Sequence, residues 1–259
     1  MARHNYISLY CSALKEPKIK DISGTKQRGT MVVRALKGYR NSGDEDTQIK
    51  VTYPLIATSD KKMIDIMQNI KENDIVLIKG NIITLKTQKG SICPECEHEN
   101  IIDSTITYIN PINIVITHTG LTEKESLEII ARDREISNEV CVIGHLSTDP
   151  EKIPVLKNTT VIQYKIGIPR KFRIRSDSEE VKSDFPMVKV YGDNALMDLK
   201  AIHTGSTVLI DGYLQGRKFI CKRECIHCGN KYEVEEKSLE IVPYQTEYLR
   251  NYNEDAIKE

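Results

Sequence analysis

Two residue patterns in this chain could do chemistry, and each occurs twice. The first is Cys-x-x-Cys, as Cys93-Pro94-Glu95-Cys96 and Cys225-Ile226-His227-Cys228. That spacing lets two thiolates grip one metal ion, and a structural Zn²⁺ takes four such ligands. Each pair is half a site, so two halves from corresponding loops could close one structural zinc site of Cys93, Cys96, Cys225 and Cys228. Cys221 stands close by, so a local site of Cys221, Cys225 and Cys228 with His227 or another ligand is a rival. Free thiols or a redox pair are a further alternative, weakened because neither pair opens a helix after a strand. Cys11 and Cys141 lie in apolar strand-like runs and read as small buried hydrophobes.

The second pattern is a ring set among cations. RKFRIR places Arg170, Lys171, Arg173 and Arg175 around Phe172, and RKFICKR places Arg217, Lys218, Lys222 and Arg223 around Phe219. A single nucleic-acid strand offers phosphates and bare π-faces together. A site for it needs cations along the backbone and flat rings to stack on, each stacked base contributing about 1–3 kcal/mol. Cations on extended hairpins read no base pattern, so such binding is largely independent of sequence. The plainer alternative is two solvated charged hairpins whose Phe rings only pack.

Composition bounds these readings. The chain has 259 residues with 37 Lys+Arg against 37 Asp+Glu, which excludes a histone-like polyelectrolyte and makes any nucleic-acid site a local patch. Hydrophobic residues make up 39%, enough for packed cores and too many for an acidic disordered tail. No apolar run is long enough to span a membrane, and the opening MARHNYISLYCS lacks the apolar core of a signal peptide. The expected place is the cytoplasm, in association with the nucleoid, with no membrane partner. In such a reducing compartment, an odd count of 7 Cys favours thiols and metal ligands over a disulfide framework. No Walker loop, G-x-S-x-G, H-E-x-x-H or paired-acid motif is present, so an enzyme is not expected.

The elements that must carry these patterns come in two copies. NYISLYCSALKEP (5–17) lies over NEVCVIGHLSTDP (138–150), and NDIVLIKGNI (73–82) lies over GSTVLIDGYL (205–214), at nearly the same offset that carries Cys93 and Cys96 onto Cys225 and Cys228. Each copy is the size of a small domain: 1–120 and 138–245, joined by a charged, helix-prone connector at 121–137, with a frayed polar tail at 246–259. In the second copy, alternating or apolar β-forming runs fall at 139–146, 160–169, 185–191, 207–214 and 238–242. Between the third and fourth, 193–203 has helical spacing behind an Asp193 N-cap signal, and 60–72 is its counterpart in the first copy. Three strands, a helix and two strands suit a mainly β fold: two tandem five-stranded OB-fold barrels, each with one helix and a long hairpin between strands 4 and 5. A generic α+β domain is the alternative.

The second copy resembles bacterial single-stranded DNA-binding proteins. Val140-Cys141-Val142-Ile143-Gly144-His145-Leu146-Ser147-Thr148-Asp149-Pro150-Glu151 is similar to that family's first strand, Asp184 through Gly192 to its third, and Gly205 through Leu214 to its fourth. Two such domains in one chain resemble the tandem members from Deinococcus–Thermus. The resemblance implies base stacking on Phe172, Phe185, Tyr191 and Phe219, which takes in all 3 Phe of the chain. In the first copy only Tyr39 and Tyr53 can stand at equivalent places, and the strand-four equivalent falls near Thr87, so that copy is expected to bind more weakly. The closing residues Asn253 to Glu259 depart from the acidic tip by which the family recruits partner enzymes. The function implied is a protein that coats and protects single-stranded DNA in replication, recombination or DNA transfer, with a homodimer and replication or recombination proteins as further partners. Two other classes stay open: a scaffold for a replication or conjugation complex, and a thiol oxidoreductase.

Overall fold

The computed structural model describes residues 4–24, 26–38, 50–154, 159–170 and 182–255. The first copy runs β1 (His4–Ala13), β2 (Lys18–Ser23), β3 (Lys26–Leu36), β4 (Val51–Thr52), β5 (Leu55–Thr58), α1 (Lys61–Met67), β6 (Ile75–Ile92) and β7 (Glu99–His118). A connector helix α2 (Glu123–Arg132) and a single 3₁₀ turn (Arg134–Ile136) follow. The second copy runs β8 (Glu139–Leu146), β9 (Glu151–Lys152), β10 (Val161–Pro169), β11 (Ser183–Asp184), β12 (Met187–Tyr191), α3 (Gly192–Ala201), β13 (Thr207–Glu224) and β14 (Lys231–Arg250). Among the described residues no helix is long and apolar enough to cross a membrane.

Each copy closes on itself. β1 pairs with both β3 and β6, β6 with β7, and β7 in parallel with β5, which pairs with β3. The second copy repeats the circuit through β8, β10, β12, β14 and β13, again with one parallel pair, β12 to β14. Both are five-stranded barrels of the oligonucleotide-binding type. Strand alternation supplies the reason: in β8 Val140, Val142, Gly144 and Leu146 point inward while Glu139, Cys141, Ile143 and His145 point out.

The barrels are fused. β1 and β8 pair antiparallel from His4 opposite Ile143 to Ser8 opposite Glu139, centred on Ile7 and Val140. Those two residues are equivalent positions of the two copies, so the pairing generates a pseudo-two-fold axis. One hydrophobic core runs through both barrels.

The shared x-V-L-I-x-G motif has a steric cause. Both fourth strands bulge at the glycine, Gly80 and Gly212. A Cβ there would lie 2.6 Å from the Asn110 carbonyl oxygen at Gly80 and 2.2 Å from the Val242 oxygen at Gly212. The opening Asn of each copy has a role that the sequence did not suggest. Asn5 donates to Ile82 O at 3.0 Å and accepts from Ile82 N at 2.9 Å; Asn138 does the same with Leu214, at 2.8 and 2.9 Å. Asn138 also donates to Leu36 O at 2.8 Å, while Ser137 Oγ bridges Leu36 N and Tyr10 O at 3.0 Å each. The end of the connector thereby stitches both barrels together.

Four expectations change. The region read as a frayed tail from 246 is, through Arg250, the end of β14. Tyr248 there donates to the buried Asp198 at 2.7 Å, alongside Tyr164 at 3.0 Å. Burial pushes the Asp198 carboxyl above the usual range against these donors. α3 is capped by Tyr191, not Asp193, which lies in its first turn. β13 continues well past 214, because its charged residues are tolerated on a solvated two-stranded hairpin. Cys11 is buried as expected, and burial raises its thiol, but Cys141 faces outward and is half-buried.

Asn138→Ala would strip partners from three buried backbone groups at the barrel junction. Urea unfolding is expected to show a loss of about 2–3 kcal/mol, and a loss under about 0.5 kcal/mol would contradict this role.

Candidate nucleic-acid interface

The long hairpin β13–β14 carries one ring cluster. Gln215, Arg217 and Phe219 alternate along β13 and so share a face. The Arg217 guanidinium sits 5.3 Å from the Phe219 ring centroid, a cation–π arrangement. Gln215 Nε2 donates to the Tyr191 hydroxyl at 3.0 Å, so Tyr191 of β12 joins the same face. Beneath it lies Glu240, 2% exposed, which takes a Ser238 hydroxyl at 3.0 Å and lies 3.4 Å from Arg217 Nε. Burial pushes the Lys189 ammonium below its usual range, with Glu240 acting in the opposite direction.

The hairpin's cations are less free than their sequence implies. β14 lays acids opposite them: Lys218 reaches Glu235 at 3.0 Å and Arg223 reaches Glu236 at 2.5 Å. Arg170 departs furthest from a phosphate contact. Its side chain is 8% exposed, and it grips Asp184 with two bonds of 2.8 Å, Nε to Oδ2 and Nη2 to Oδ1. Tyr39, Lys171, Phe172, Arg173 and Arg175 lie outside the described residues.

Three aromatics remain open: Phe185 is 48% exposed, Tyr53 54% and Tyr191 37%, and Phe219 is half-buried. Phe185 and Tyr53 hold equivalent places, and both are set by the other barrel. Asp184 Oδ1 accepts from Thr84 N of β6 at 2.8 Å, and Phe185 N donates to Thr84 Oγ1 at 2.9 Å. On the opposite side of the pseudo-axis, Gly216 N of β13 donates to Thr52 Oγ1 at 2.7 Å, immediately before Tyr53. Sequence reasoning missed Tyr108 of β7, whose ring lies 5.6 Å from the Arg28 guanidinium. Tyr108 also adds to the upward shift of Arg170, after the larger effect of Asp184. Its only sequence signal was an aromatic inside a predicted strand.

The two Cys pairs meet at the hairpin tips. Cys93 and Cys228 sulfurs are 3.7 Å apart, Cys96 and Cys225 3.6 Å, and all four lie within 4.8 Å of one another. Four thiolates about a Zn²⁺ with bonds of about 2.3 Å stand about 3.8 Å apart, so this donor set can hold a metal ion. Cys221 is not in the cluster. The two turns are built alike. Cys93 N donates to His98 O and Glu97 N to Cys93 O, as Cys225 N does to Asn230 O and Gly229 N to Cys225 O. Asn100, 4% exposed, approaches Cys225 Sγ at 3.6 Å, accepts from Ile226 N at 3.0 Å and donates to the Tyr232 hydroxyl at 3.0 Å. Burial opposes ionisation of Cys225, but the Cys228 and His227 backbone N–H groups and the Asn100 amide bring its thiol down to about 6. At Cys96 the His98 backbone draws the thiol down, yet burial and the facing sulfurs push it up to about 12.

With this geometry established, comparison with known proteins places the chain. Residues 137–240 match the single-strand binding protein family. Among solved structures, a deletion mutant of the single-stranded DNA binding protein from Thermus aquaticus matches at 14% identity and a TM-score of 0.65, covering 98% of this chain and 100% of that one. The wild-type protein from Thermus aquaticus matches at 11% identity and a TM-score of 0.65, covering 97% of this chain and 95% of that one. The family match lies on the second barrel, and the likeness in fold extends over both.

Asp184→Ala would leave Arg170 buried without its carboxylate. The expected cost is about 3–5 kcal/mol in urea unfolding, and a cost near zero would show that the pair is not buried in solution.

Proposed function

We propose that this chain binds single-stranded DNA with little regard for sequence, coating and protecting it in replication, recombination or DNA transfer. The observation that carries the reading is the face of Tyr191, Gln215, Arg217 and Phe219 on an OB-fold hairpin, within the stretch that matches the single-strand binding protein family. Rings at open positions beside a guanidinium are what stacked bases and a phosphate chain require. Phe185 and Tyr53 extend the ring set, and Phe172, Lys171, Arg173, Arg175 and Tyr39 belong to the same proposal. Lys218 adds a cation near the phosphate path. Arg170 enters it as the residue that holds Asp184 rather than as a phosphate contact.

The acids along β14 bear on the strength of the electrostatic part. If three to five phosphates are neutralised, affinity for a dT oligomer should fall about 20- to 100-fold between 50 and 200 mM salt. Fluorescence titration at the two salt concentrations, with a duplex of equal length beside it, checks this. Equal affinity for duplex and single strand would overturn the proposal.

We further infer that the metal is Zn²⁺, one per chain, held by Cys93, Cys96, Cys225 and Cys228 in a structural role. Support comes from the sulfur spacing and from the all-thiolate donor set, which suits zinc and leaves no open position for a reacting water. Such an ion would tie the hairpin of one barrel to that of the other. Metal analysis should find one zinc per chain, lost in Cys93→Ser/Cys96→Ser and retained in Cys221→Ser. Zinc content unchanged by the double substitution would leave only a site local to the second hairpin.

A further inference from the structure

The aromatics of this chain are grouped by barrel in the sequence but not in space. The pseudo-two-fold axis sets Thr52 and Tyr53 of the first barrel against the root of the second barrel's hairpin, where Gly216 N donates to Thr52 Oγ1 at 2.7 Å. Phe219 stands three residues further along the same strand, about 10 Å away at strand rise. That separation is within reach of one extended run of nucleotides. The mate of this junction sets Asp184 and Phe185 of the second barrel against Thr84 at the root of the first barrel's hairpin, at 2.8 and 2.9 Å. Tyr108 of the first barrel, with Arg28 on its ring, lies close enough to act electrostatically on Arg170, which grips Asp184.

We propose that the chain presents two composite single-strand sites across the barrel boundary, one of Tyr53 with Tyr191 and Phe219, the other of Phe185 with Tyr108. The inference deepens the single-stranded DNA reading and rests on it. It makes Tyr53 a partner of the second hairpin, not an outlying ring of a weak first barrel. It also separates Phe185 from Phe219, although both belong to the second barrel. A strand occupying either site touches both barrels at once, so the first barrel contributes to binding even though its own hairpin lacks a Phe.

Double-mutant cycles on the full chain test this with a dT oligomer of about 30 nucleotides, long enough to engage both barrels at 4–16 nucleotides each. All the substituted rings are exposed or half-buried, and urea unfolding of each variant verifies that it folds. Tyr53→Ala and Phe219→Ala should each weaken binding about 5- to 100-fold, and in combination depart from the product of the single effects by about threefold or more. Phe185→Ala with Phe219→Ala should multiply simply. The proposal stands only if the Tyr53–Phe219 coupling exceeds that of Phe185–Phe219. Additivity of both pairs, or the reverse order, would overturn it and return each ring to its own barrel. Failure of the unsubstituted chain to bind the oligomer at all would instead overturn the function proposed above.

Discussion

The antiparallel pairing of β1 with β8 is the constraint from which the rest of the arrangement follows. A first strand in a five-stranded barrel has an edge with unpaired N–H and C=O groups, a template for uncontrolled association. Here the two first strands cover each other, centred on Ile7 and Val140. Because those residues are equivalent, the pairing fixes a pseudo-two-fold axis, and every contact on one side has a counterpart on the other. Thr52 meets Gly216 where Asp184 meets Thr84. The Cys93 turn meets the Cys225 turn at the hairpin tips.

Within that frame the copies have diverged by chemistry. The Thr52 hydroxyl makes one neutral hydrogen bond at its junction, whereas Asp184 at the other carries a buried ion pair with Arg170. Such a pair gives little net stability against an apolar substitute but strongly disfavours any arrangement that separates its members. It therefore serves to hold the root of the stretch after Arg170 in one register against the first barrel. The hairpins diverge too: the second sets Arg217 on Phe219 above Glu240, while Thr87 falls near the strand-four position of the first.

Much of this was legible in the sequence, because repeats, strand alternation and Cys spacing are local signals. The Gly of V-L-I-x-G marked equivalent strands before its cause, a carbonyl in the place of a Cβ, was visible. What stayed hidden depends on a second strand. RKFICKR reads as a bare basic cluster, yet Glu235, Glu236 and Glu240 lie across from it. Arg170 reads as one more cation until Asp184, fourteen positions on, closes over it. Tyr248 reads as tail because nothing nearby in sequence announces Asp198 as its acceptor. Asn5 and Asn138 are ordinary polar residues at strand starts until the bulged partner strand presents Ile82 and Leu214.

The central claim is that one single strand lies over the rings of both barrels at their shared boundary. Photocrosslinking of the full chain to dT oligomers carrying 5-iodo-deoxyuridine, with mass-spectrometric mapping of the adducts, tests it most directly. The account predicts adducts at Tyr53 as well as at Phe185, Tyr191 and Phe219. Adducts confined to the second barrel, with Tyr53 and Tyr108 untouched at saturating oligomer, would contradict it.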